Sequence, residues 1–74
     1  MQLTEKITTF VAERTAAPVA ADTPFTDLDL DSLVLLELAT QLKRDHGVNL
    51  TEDDLLVAGT PERVAALVGD RAPV

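Results

Sequence analysis

Seven residues punctuate this chain, and all are glycine or proline. Pro18 and Pro24 fall in a stretch without sustained hydrophobic period, Pro61 follows a threonine, and Pro73 lies close to the C-terminus. Gly47, Gly59 and Gly69 each end an apolar-periodic stretch. Proline removes a backbone N–H and locks φ, and glycine admits backbone conformations that close a helix, so both mark helix boundaries. The segments between them are free to be helices, and their patterns agree.

From about Gln2 to Thr15, Leu3, Ile7, Phe10, Val11 and Arg14 recur at helical spacing, with the basic residue suited to a helix C-terminus and Thr4 placed to cap the start. Ala16 to about Leu28 reads as a long loop that Phe25 and Leu28 anchor into the core. A second helix is predicted from Asp31 or Ser32 to His46, closed by Gly47. It carries one stripe of Leu35, Leu38, Ala39 and Leu42 and a second, offset stripe of Leu33, Leu36 and Thr40. A surface helix needs only one such stripe. The second predicts either a helix central enough to touch neighbours on two sides or a face for a partner.

Thr51 with Asp54 resembles a capping box and opens a short helix of five or six residues before Val57-Ala58-Gly59. Thr60-Pro61-Glu62 starts the last helix, with Val64, Leu67 and Val68 as its apolar face and Gly69 as its end. The expected fold is all-α: three principal helices, a short third one and a long first loop. Residues 1–69 form a single domain in this reading, and residues 70–74 a frayed tail.

Seventy-four residues make a small domain, one that buries only about 60% of the surface its unfolded chain exposes. There is no cysteine, hence no disulfide or thiolate site, which suits a reducing cytoplasm. No apolar run approaches the roughly 18–20 residues of a membrane span, and Met1 to Lys6 lacks the layout of a secretory signal. The Met1 start suggests a free-standing protein. Asn49-Leu50-Thr51 matches a glycosylation sequon and is read as chance. Between Asp22 and Asp54 nine acids face two bases, which accounts for the entire net charge of −7. That field repels nucleic acid and anionic membranes and attracts basic protein surfaces, although it also serves simple solubility.

Ser32 is the residue to explain. As a nucleophile it needs a base, but the one histidine, His46, lies fourteen residues along the same predicted helix, about 21 Å away. No Gly-x-Ser-x-Gly elbow is present. Asp27, Asp29 and Asp31 imitate the start of a calcium loop, but its sixth and twelfth positions hold Ser32 and Leu38 instead of glycine and glutamate. No metal site is expected; His46 suits the negative end of a helix dipole better than a ligand set. Two readings remain. Asp31 or Ser32 caps the second helix, or Ser32 is an attachment point at a helix N-terminus that tolerates a phosphodiester, beside the apolar Leu33 and Leu36 and a ring of acids.

The run Phe25, two residues, Leu28-Asp29-Leu30-Asp31-Ser32-Leu33, with Glu37 five residues past the serine, resembles the acyl and peptidyl carrier protein family. His46-Gly47-Val48-Asn49-Leu50 resembles the family's approach to its short third helix, and Thr60-Pro61-Glu62-Arg63-Val64 its last helix. The likeness spans about Leu3 to Val68. Asp-Ser-Leu alone is a weak motif; its placement after a proline-bearing loop, at the start of helix two of four, adds most of the specificity.

The resemblance implies a four-helix carrier bundle and no enzyme activity. It implies 4'-phosphopantetheine, attached to Ser32 from coenzyme A by a magnesium-dependent transferase, with the arm's thiol holding an acyl or aminoacyl group as a thioester. It implies Asp31 as the acid met by the transferase and Leu33, Leu36, Glu37 and Thr40 on the partner face of helix two, with that transferase and acyl-loading and acyl-processing enzymes with basic docking surfaces as the partners. Neither nucleic acid nor membrane is an expected partner, and the protein is expected to be a cytoplasmic monomer. Asp29 stands where the family usually has glycine, and Arg44 where many acyl carriers have an acid. The first loop, long for this chain but short beside that of a fatty-acid synthase carrier, and the absence of Gly-Gly-Asp-Ser favour a discrete acyl carrier of polyketide or related secondary metabolism, including antibiotic biosynthesis. A stand-alone aminoacyl or peptidyl carrier is the alternative, and a cofactor-free helical interaction module the competing class.

Overall fold

A computed structural model describes residues 3–28 and 30–71. Its elements are α1 (Leu3–Ala12), a 3-10 turn (Phe25–Leu28), α2 (Ser32–His46), α3 (Glu52–Ala58) and α4 (Pro61–Arg71), with no strand among the described residues. This is the expected all-helical bundle with a short third helix. α1 packs against α4 and α2, and α3 bridges α2 and α4.

The predicted stripe of α2 forms its inner face. Leu35, Leu38, Ala39 and Leu42 join Ile7 and Val11 of α1, Phe25 and Leu28 of the turn, Val48, Leu50, Leu55, Val64 and Val68 in one core cluster. A fully buried leucine or valine contributes about 1.5–3 kcal/mol, so a domain of this size depends on nearly every member.

Local chemistry sets most of the boundaries. Asp31 is extended at the α2 N-cap, and its Oδ1 accepts the Val34 N–H at 3.0 Å. Gly47 closes the helix in the left-handed region at φ 70°, its N–H donating to the Lys43 carbonyl at 2.9 Å. α3 has both halves of the capping box: Asp54 N–H donates to Thr51 Oγ1 at 3.1 Å, and Thr51 N–H to Asp54 Oδ2 at 2.9 Å. Thr60 Oγ1 accepts the Arg63 N–H at 3.3 Å at the start of α4.

Several expected boundaries move. α1 stops at Ala12 rather than Thr15, which puts Arg14 beyond the helix and outside the buried stripe. Thr4 lies within the first turn instead of capping it, its carbonyl accepting the Thr8 hydroxyl at 2.7 Å; Gln2 is outside the described residues. α3 runs seven residues and includes Val57 and Ala58. Gly69 does not end α4, which continues through Asp70 and Arg71. The two added residues bring Arg71 Nη1 to 3.1 Å from Asp54 Oδ2, tying α4 to α3.

The long loop is also more ordered than its composition predicts. Phe25 N–H donates to the Gly59 carbonyl at 2.8 Å, and Glu62 N–H to the Ala21 carbonyl at 3.0 Å. Both bonds fasten the loop to the α3–α4 corner, and Phe25 and Leu28 are buried below it as expected.

Two predictions follow from this packing. Leu38→Ala should cost about 2–5 kcal/mol of unfolding free energy, whereas Leu33→Ala on the outer face should stay within about 0.5 kcal/mol; urea titrations followed by circular dichroism compare the two. The second concerns Asp54, whose pKa is held below the ordinary 3.8 by the Thr51 backbone N–H first, then by the Thr51 hydroxyl and Arg71. A depressed carboxylate pKa adds stability that is complete above the unfolded value and lost as pH falls through the folded one. The margin in thermal midpoint of the wild type over Asp54→Asn should therefore be constant above about pH 5 and shrink below about pH 4. A pH-independent margin contradicts this.

Candidate functional site

The first turn of α2 separates two roles that the sequence leaves merged. The backbone N–H closing the helix start is taken by Asp31, so the cap is Asp31 and the hydroxyl of Ser32 is not needed for it. Ser32 is the first helical residue and is exposed. At that position its side chain stands beside backbone N–H groups that have no acceptor within the helix, at the positive end of the helix dipole. His46 is the last residue of the same helix, so the serine and the one histidine cannot pair. Among the described residues no group of three or more histidine, cysteine or acidic side chains is placed to hold a metal ion.

Beyond Ser32, the second stripe proves to be surface. Leu33 is 60% and Leu36 54% exposed, and Glu37 and Thr40 lie on the same outer side. Thr40 turns its hydroxyl back to the Leu36 carbonyl at 2.9 Å. α2 does touch neighbours on two sides, α1 and α3, but the second stripe is not what meets them: α2 has one inner face and one open apolar ridge. Isolated exposed leucines are ordinary. Two on one ridge beside an exposed serine make a continuous apolar surface open to solvent.

A groove flanks each side of that ridge. One, of about 310 Å³, is lined by Phe10, Arg14, Leu36, Glu37, Thr40, Gln41 and Arg44. The other, of about 320 Å³, lies towards α3 and is lined by Leu36, Ala39, Thr40, Lys43, Asn49, Leu50 and Thr51. The ridge is not uniformly acidic. Glu37 is followed one to two turns later by exposed Lys43 and Arg44, so the departure noted at Arg44 gives α2 a basic last turn and leaves Glu37 and Asp45 balanced by two cations along the helix. Asp29, the other departure, is outside the described residues.

The family described as phosphopantetheine attachment site matches residues 5–68, which include all of α2 and its approach. The chain belongs to that family. Its covalent cofactor is phosphopantetheine, and the chemistry of this carrier family is to bear a group rather than to transform one. Among similar proteins, the siderophore peptide synthetase fer3 of Mycosarcoma maydis is 42% identical over 50 residues, which are 68% of this chain and 1% of the synthetase. The anthracycline acyl carrier protein DpsG of Streptomyces peucetius is 42% identical over 52 residues, 69% of this chain and 62% of DpsG. Polyketide-8 synthase acyl carrier protein 2 of Streptomyces avermitilis is 37% identical over 65 residues, covering 81% and 75% of the two chains. The chain thus spans less than two thirds of the length of the first two of these relatives. No solved structure matches it significantly.

Two features of the carrier's surface escape the sequence patterns. Leu56 and Val57 of α3 are 45% and 85% exposed, because a seven-residue helix turns only Leu55 inward. Arg14 sits against Glu37, a contact across 23 residues for which no local spacing gives a signal.

The division of labour in the first turn is testable by stability alone. Asp31→Ala should lower unfolding free energy by about 1 kcal/mol through loss of the cap, while Ser32→Ala should change it by less than about 0.5 kcal/mol. Equal losses in chemical denaturation would return the capping role to the serine.

Proposed function

We propose that Ser32 carries the 4'-phosphopantetheine arm and that the protein presents acyl intermediates to the enzymes of a polyketide or related secondary-metabolite pathway. The observation that supports this most is the exposed Ser32 at the first position of α2, relieved of capping by Asp31, inside the segment that matches the attachment-site family.

The residues present suit the group. The open N–H groups of the first turn of α2 favour the phosphodiester, and the partial positive charge there acts in the same direction. Exposure of the hydroxyl gives a transferase access to it. When bound, the arm supplies a thiol on which an acyl group rides as a thioester. This chain's own part is to hold the attachment point rigid and to display the docking ridge next to it. Asp31 supplies an acid to the transferase, Leu33 and Leu36 supply desolvated contact area, and Glu37 supplies a charge for basic partner surfaces, with Thr40 at the ridge's far end. Hydrophobic contact gives such docking its strength, and the charge gives orientation and speed.

The protein acts in this reading as a non-enzymatic, monomeric, cytoplasmic carrier of about residues 1–69, without nucleic-acid or membrane partners. No helix among the described residues is long and apolar enough to cross a membrane. A second reading, an aminoacyl or peptidyl carrier, is favoured by the likeness to a siderophore peptide synthetase.

Incubation with coenzyme A, magnesium and a permissive phosphopantetheinyl transferase should add one phosphopantetheine to the intact mass, and Ser32→Ala should abolish the gain. A folded wild-type protein that gains no mass sinks the attachment reading and leaves a cofactor-free interaction module.

A further inference from the structure

Glu37 is not free in this structure. Its Oε2 accepts a hydrogen bond from Arg14 Nε at 3.0 Å. Arg14 in turn is held at two further points: Nη1 donates to the Phe10 carbonyl at 2.8 Å, and the guanidinium lies over the Phe10 ring, 3.6 Å from its centroid. Glu13 is a looser neighbour, its Oε2 3.9 Å from Arg14 Nη1. The chain leaves α1 at Ala12, which sets Arg14 over the last turn of that helix and across from α2. A lone surface ion pair is worth little. Here the carbonyl and the ring hold the guanidinium in place before Glu37 engages it, so the pair forms without ordering a free side chain.

The consequence concerns the docking ridge, and it rests on the reading of Glu37 as a contact for basic partners. We propose that Arg14 is an internal competitor for those partners, masking Glu37 in the free carrier so that a docking cation has to displace it. The groove between α1 and α2 is lined by Arg44 as well as Arg14, so a partner cation reaching Glu37 from that side meets two like charges. Arg14 thereby sets a threshold: weakly basic surfaces fail to open the pair, and partners that place a strong cation directly on Glu37 succeed. The energetic consequence is a population effect. A pair of this kind, closed most of the time, reduces apparent affinity about two- to six-fold by the fraction of open carrier.

The test uses the full chain and a permissive phosphopantetheinyl transferase as the probe partner, with initial rates of coenzyme A-dependent modification at about 0.15 M salt, where the screening length is about 8 Å. Arg14→Gln should raise kcat/KM about two- to six-fold through a lower KM at unchanged kcat. Arg14→Met, which keeps an apolar stem over the Phe10 ring, should do the same, and circular dichroism verifies that each variant is folded. Glu37→Gln should lower kcat/KM, and adding Arg14→Gln to it should give no further gain. Arg63→Gln, an equal change of net charge on α4, should leave the rate unaltered, which separates local unmasking from a general rise in negative charge. If Glu37→Gln slows the reaction but neither Arg14 variant speeds it, or Arg63→Gln speeds it as much, the masking proposal is wrong and the docking role of Glu37 stands. A rate unaffected by Glu37→Gln removes the docking role of Glu37 towards the transferase and overturns the masking of that contact with it.

Discussion

Leu35, Leu38, Ala39 and Leu42 have to be covered, and nearly everything else in the molecule is arranged by that requirement. Ile7 and Val11 of α1, Leu55 of α3, and Phe25 and Leu28 of the loop share the core with them. A chain this short has no second core to fall back on. Covering the inner face of α2 fixes the rotation of the helix about its own axis. The rotation leaves Leu33, Leu36, Glu37 and Thr40 outward, and it puts Ser32 at an open corner. The exposed ridge and the core are thus two sides of one cylinder, and the position of one follows from the burial of the other.

The parts of this arrangement that were legible in the sequence are those whose causes are local. Asp31 and Gly47 bound α2 because an N-cap carboxylate and a left-handed glycine act within a few residues. Thr51 and Asp54 open α3, and Thr60 with Pro61 opens α4, for the same reason. What the sequence concealed depends on distant partners. No glycine or proline marks the end of α1, where Arg14 instead turns to Phe10 and Glu37. Gly69 looks like a stop, yet it lies on an exposed side of α4 where a helical glycine costs only about 1 kcal/mol, and Arg71 beyond it finds Asp54. The turn at Phe25–Leu28 has no period of its own and is held by the Gly59 carbonyl.

The first turn of α2 was half legible. The Asp-Ser pair announced a helix start and an attachment candidate together, and only geometry assigns the cap to one residue and frees the other. Likewise the second apolar stripe admitted burial or display. Exposure of Leu33 and Leu36 decides between them, because burial depends on which helices happen to lie alongside, and no local pattern encodes that.

The core cluster is entirely apolar, and no charged or polar side chain is buried among the described residues. Every carboxylate and guanidinium there lies where solvent reaches it, so its replacement leaves no unpaired charge in the interior. Fold and surface charge are therefore separable in this small domain. The charges along α2 from Glu37 to Asp45 can each be exchanged without disturbing a packed neighbour in the core. An interior that takes no part in the surface leaves that surface free to vary while the fold stays as it is.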